Sequence, residues 1–165
     1  MSVRRRAGKR ELHLDSRGRA RMIDVGGKTV TRRRAVARGR VRLGVAAFQA
    51  LASGTLAKGD ALAVARVAGI LAAKKTPELV PLAHAIHLES VAVDCELDAR
   101  AREVVITATI ATAARTGVEM EALTAVAAAC LALYDMAKAL DRSIEIREIV
   151  LLEKTGGRSG AYRRG

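Results

Sequence analysis

Aromatic residues are almost missing from this chain: one phenylalanine (Phe48), two tyrosines (Tyr134, Tyr162) and no tryptophan in 165 residues. That scarcity argues against recognition of single-stranded nucleic acid on stacking platforms, which need aromatic rings on a sheet or groove. It also makes the core thin, since alanine supplies 33 residues, so burial between subunits would add useful apolar contact. Cysteine is limited to Cys95 and Cys130, without a CxxC pair or a His/Cys cluster at metal-ligand spacing, so neither a disulfide framework nor a cysteine zinc site is indicated. No uninterrupted apolar stretch reaches the ~18 residues of a membrane span, and the start lacks the apolar run of a signal peptide. A cytoplasmic protein with reduced thiols and no membrane partner is the expectation. The GxxxxGK[ST] spacing of a Walker A loop is also absent, which removes nucleotide-triphosphatase chemistry of that type.

What is present is a single-domain composition: 50% hydrophobic, 28% charged and a formal charge of +12. The excess is entirely N-terminal. Residues 1–42 hold fifteen Lys or Arg against three acids, and the remainder holds fourteen of each. Residues 1–18 read as a basic, flexible segment and 19–165 as the folded domain. Such a segment attracts polyanions without sequence preference. A basic RNA-binding domain on a ferredoxin-like sheet is therefore the rival class, but the missing aromatics and the confinement of charge to the start count against a specific nucleic-acid partner.

Along the chain, Ala35, Ala37, Val41 and Leu43 can share one strand face while Arg38, Arg40 and Arg42 share the other, broken by Gly39. A short helix over 45–52 leads to a second, near 60–76, which Asp60 can cap and Thr76-Pro77 ends. The "ELVPLAHAIHLES" stretch has no clean period and reads as an irregular connection or a short helix. Alternation over 88–97 and 103–112 predicts a hairpin, with Val91, Val93, Cys95 and Leu97 candidates for a face that a second subunit could cover. A long helix follows over 117–140, carrying Val118, Leu123, Val126, Cys130, Leu133 and Met136, then a strand over 144–152 and an irregular end. Strand, helix, strand, strand, helix, strand is most simply an α+β, ferredoxin-like domain, an antiparallel sheet covered by helices on one face.

Chemistry-bearing residues are few. Of the three histidines, His13 lies in the basic start. His84 and His87 are three apart, but no local pattern fixes a third ligand, so no metal site is specified. His84, in an irregular segment after Pro81, is a candidate for catalysis or ligand contact, against a structural histidine. Glu119 and Glu121 fall in the first turns of the long helix, where carboxylates are favoured in any case. Asp135 and Lys138 lie three apart near the end of a helix that holds no other charge after Glu121. On an exposed surface such a pair is a simple ion pair, whereas in a closed pocket it would be kept for proton transfer or specificity. Two loops suit anions: "AKGD" with Lys58, and "EKTGGRSG" with Lys154 and Arg158 around paired glycines.

The segments "KGDALAVARVAGILAAKKTPELVPLAH", "TGVEMEALTAVAAACLALYDMAKA" and "LLEKTGGRSG" resemble the cyclic pyranopterin monophosphate synthase family of molybdenum-cofactor biosynthesis, over about Met22 to Gly160. The resemblance implies a ferredoxin-like fold assembled as a homohexamer, a trimer of dimers with each active site shared across a dimer interface. It implies a lyase reaction that converts (8S)-3',8-cyclo-7,8-dihydroguanosine 5'-triphosphate to cyclic pyranopterin monophosphate and diphosphate. Carried over by motif, Lys58, His84, Asp135 and Lys138 are the implied catalytic set. Arg33, Leu82, Ala83, His84, Glu119, Met120, Glu121, Lys154 and Arg158 are the implied substrate-binding set. No cofactor is fixed by the sequence, although a divalent cation such as magnesium can accompany a triphosphate. One departure stands out: the family's PLCHP reads "PLAHA" here. Ala83 excludes thiol chemistry at that position, and Ala85 removes a φ restraint beside the histidine.

Overall fold

The computed structural model describes residues 14, 15 and 17–165. His13 and most of the basic start, including most of the expected 1–18 segment, lie outside the described residues. In chain order the elements are β1 (Thr31–Arg42), α1 (Val45–Ala52), α2 (Ala61–Lys74), α3 (Thr76–Leu79), β2 (Ser90–Asp98), β3 (Glu103–Ala114), α4 (Glu119–Ala137), β4 (Glu145–Thr155) and β5 (Tyr162–Arg163). The strands form one antiparallel sheet in the order β2-β3-β1-β4-β5. The first four in that order are the ferredoxin-like arrangement, so the fold is α+β with the helices over one sheet face.

The alternation in β1 is realised. Ala35, Ala37 and Val41 are fully buried, and Leu43 just beyond the strand nearly so. Arg38 and Arg40 bind Glu148 of β4, and Arg40 and Arg147 hold Glu103 of β3, an ionic network on the opposite face. Burial alone would raise the Glu103 pKa, but the Arg147 and Arg40 guanidiniums bring it below the usual carboxylate value. Gly39 does not break the strand: β1 pairs with β3 without interruption from Thr31 to Arg42. A Cβ at Gly39 would lie 2.5 Å from Val126 Cγ1 and 3.0 Å from Cys130 Sγ, so the glycine is what lets α4 rest on the strand.

The α2 N-terminus is capped as expected, the Asp60 carboxylate accepting from the Ala63 N–H at 2.9 Å. Helix α4 buries Ala122, Ala125, Val126, Ala129, Cys130, Leu133 and Met136. Among the described residues it is the one helix long and apolar enough to span a membrane by length and composition, but half of its apolar window is buried inside the protein. Burial pushes the Cys130 thiol up to about 12 and raises that of Cys95, which suits packing rather than reactivity.

Two expectations are corrected. Val93 of β2 belongs to the helix-side core, with Val91 and Cys95 packed against it, so the outer face of that strand does not carry them. The strand alternates against β3 in a register fixed by the core, and its apolar set follows that core. The chain end is not wholly irregular, because Tyr162–Arg163 turns back to pair with Glu153 and Lys154.

Candidate active site

A cavity of about 920 Å³ opens where the N-terminal end of α4 meets the start of β1, the end of β3 and the loop after β4. Its wall contains Arg33, Leu82, Ala83, His84, Glu119, Met120, Glu121, Lys154 and Arg158, the whole of the substrate-binding set that the sequence suggested. Lys28 and Arg115 join them, as do Thr29 and Thr31. Those residues were missed, although "GGK" at 26–28 has the same paired glycines beside a cation as "GGR" at 156–158.

Two of the cations, Arg33 and Arg115, are held in place by main-chain carbonyls. Arg33 donates from Nε to the Ala114 carbonyl at 3.2 Å and from Nη2 to the Arg115 carbonyl at 3.3 Å. Arg115 donates from Nε to the Lys28 carbonyl at 3.1 Å, tying the segment before β1 to the end of β3. Gly156 and Gly157 have φ of +93° and +77°, and a Cβ on Gly157 would fall 1.8 Å from Arg33 Nη1. Glycine is thus required twice over, for the left-handed backbone and for the space that the guanidinium fills. Lys154, near the end of β4, donates to Ser159 Oγ in the loop that follows.

Two carboxylates face this cationic wall from the first turn of α4. Glu121 is 2% exposed, and burial, reinforced by the charge of Glu119, raises its pKa above the usual glutamate value. His84 is fixed through Nε2, 2.7 Å from the Ile23 carbonyl oxygen. His87 is exposed, and its carbonyl accepts from Thr112 Oγ1 at 2.7 Å. Among the described residues no three His, Cys, Asp or Glu side chains gather as a metal ion would need.

The remaining three predicted residues lie elsewhere. Lys58 Nζ is 2.6 Å from Asp135 Oδ2 and 2.9 Å from the Asp135 carbonyl oxygen, and Lys138 Nζ is 2.6 Å from Asp135 Oδ1. The Lys138 and Lys58 hydrogen bonds hold the Asp135 carboxyl down at about 2. The pair read along the helix is therefore a triad, with Lys58 brought in by the loop before α2. Its carboxylate is 55% exposed, so within one chain it fits the exposed ion pair rather than the closed pocket, the two alternatives the sequence left open. From Glu121 to Asp135 the helix rises about 21 Å, which keeps the triad away from the cavity of its own chain. The "AKGD" lysine, expected to meet anions, engages the Asp135 carboxylate.

The MoaC family model matches residues 22–157. Among curated relatives, a protein of Thermomicrobium roseum is 57% identical over 152 residues, 92% of either chain. One of Roseiflexus sp. (strain RS-1) is 56% identical over 150 residues, 91% of this chain and 95% of its own. A third, from Parvibaculum lavamentivorans, is 52% identical over 157 residues, 95% of this chain and 98% of its own. All three are named cyclic pyranopterin monophosphate synthase. A match across most of the chain, with the motif residues gathered on one cavity and one triad, makes this protein a member of the MoaC family.

Proposed function

We propose that this chain is a lyase of molybdenum-cofactor biosynthesis with cyclic pyranopterin monophosphate synthase activity. It converts (8S)-3',8-cyclo-7,8-dihydroguanosine 5'-triphosphate to cyclic pyranopterin monophosphate and diphosphate. The observation that carries the reading is the cavity wall itself: five cationic side chains, Lys28, Arg33, Arg115, Lys154 and Arg158, beside Glu119, Glu121 and His84. A triphosphate next to a guanine-derived ring needs that combination of charges.

In this reading the cations neutralise the phosphates and steady the diphosphate as it leaves. A substrate hydroxyl gives up its proton to an active-site base or solvent and forms its new bond to the α-phosphorus while the bridging bond to the β-phosphate breaks and diphosphate leaves. Glu119 and Glu121 meet the N–H groups of the ring, Glu121 from a buried position that raises its pKa above the usual glutamate value. Asp135 with Lys58 and Lys138 supplies proton transfer as the ring opens and re-closes. Because the triad is distant from its own chain's cavity, it acts on substrate held by another copy, within a cytoplasmic homohexamer built as a trimer of dimers. Val64, Val67 and Leu71 of α2 and Leu131 of α4 are exposed apolar residues that such an assembly would cover. The reading calls for no resident cofactor, and a divalent cation such as magnesium would arrive on the triphosphate.

The test is incubation of the purified protein with the cyclic dihydroguanosine triphosphate and mass detection of both products. Formation of cyclic pyranopterin monophosphate with an equal amount of diphosphate is expected. Unchanged substrate would refute the reading.

A further inference from the structure

His84 makes one side-chain hydrogen bond among the described residues, from Nε2 to the Ile23 carbonyl oxygen at 2.7 Å. A carbonyl oxygen only accepts, so that bond requires the ring proton on Nε2, and a neutral ring then carries its lone pair on Nδ1. His84 is part of the cavity wall, and Nδ1 is the ring nitrogen that makes no hydrogen bond to the described residues.

Ile23 belongs to a segment that is itself anchored. The Asp24 carboxylate accepts from the Gly26 N–H at 2.8 Å, and the Lys28 N–H donates to the Val25 carbonyl at 3.0 Å, which closes a turn. Past the turn, the Lys28 carbonyl accepts from Arg115 Nε, while Gly27, Lys28 and Thr29 form part of the cavity wall. One short strap thus contributes to the wall and meets the imidazole at Nε2. Where the PLAHA segment has an alanine after the histidine, this contact restrains the ring.

The geometry points to residues 22–29 as a strap that presets the tautomer of His84, with the Ile23 main chain as the positioning group and Nδ1 as the atom that takes a proton from the substrate. The imidazolium so formed keeps its second proton on Nε2, hydrogen-bonded to the Ile23 carbonyl, and returns the first to the rearranging ring as it re-closes, so the side chain ends the cycle neutral. The proton-transfer role rests on the reaction proposed above; the tautomer does not.

The experiment is nitrogen NMR of the full-length protein labelled with 15N-histidine, over a pH series that reaches the neutral imidazole. With only three histidines in the chain, the spectrum of His84→Gln assigns the signal. Protonated Nε2 and bare Nδ1 are expected. In a second protein Asp24 is replaced by its α-hydroxy acid, which turns the Ile23 carbonyl into an ester carbonyl, a weaker acceptor. Its His84 signal should move toward the Nδ1–H form, with kcat down about tenfold and KM nearly unchanged, the order expected from one weakened hydrogen bond. An Nδ1–H ring in the unmodified protein overturns the inference, as does an ester protein with unaltered tautomer or unaltered kcat. A protein that fails to turn over the triphosphate refutes the proposed reaction instead, and its nitrogen spectrum still decides the strap.

Discussion

Asp135 is where single side chains have the largest expected effect, because one carboxylate is shared by two lysines. Asp135→Asn removes the charge that positions both, and the product rate should fall about 100-fold or more while circular dichroism and assembly stay normal. Lys138→Ala should do the same; near-normal turnover in both variants would remove the triad from the chemistry. The electrostatics can be checked without substrate. A carboxyl lowered from 3.8 to about 2 binds its proton less readily in the folded state than in the unfolded one. Its contribution to stability is therefore complete above about pH 4 and fades as the pH falls toward 2. NMR titration should place the Asp135 midpoint near the lower value and return it to the ordinary range when Lys58 and Lys138 are both alanine.

At the scale of elements, Gly39 is the tightest seat in the sandwich, and Gly39→Val should destabilise the protein by about 3 kcal/mol through collision with Val126 and Cys130. Denaturant unfolding would measure it, and a loss below about 0.5 kcal/mol would mean that α4 can shift at little cost. The same glycine illustrates what the sequence made legible. The period-two pattern around it predicted the strand and both faces correctly, because burial on one side and charge on the other is a local signal. The glycine itself read as a break, since its reason, Val126 and Cys130 of α4, lies far along the chain. The cavity was legible through motifs: Arg33, His84, Glu119, Glu121, Lys154 and Arg158 converge as inferred. Lys28 and Arg115 were not, because their place depends on how the segment before β1 crosses the end of β3. Lys58 was assigned to anions from its loop, and the tertiary contact with Asp135 is invisible to any local pattern.

At the scale of the molecule, the question is which copies share a site. If the cavity of one copy is completed by the triad of another, two individually silent proteins should rescue each other. Mixing Asp135→Asn with His84→Gln and allowing subunits to exchange should restore about a quarter of normal activity, since half of random dimers are mixed and each has one intact centre of two. No recovery after verified exchange would place both groups in one chain's centre and contradict the shared-site proposal.

Helix α4 has a consequence of its own. A stiff rod with a charged hollow at its head and a carboxylate shared by two lysines at its foot cannot bend to join them. On the shared-site reading a solitary copy is inert however well it folds, and output per molecule becomes a function of protein concentration. Dilution below the point where copies part would switch the reaction off with no inhibitor and no change in any single subunit.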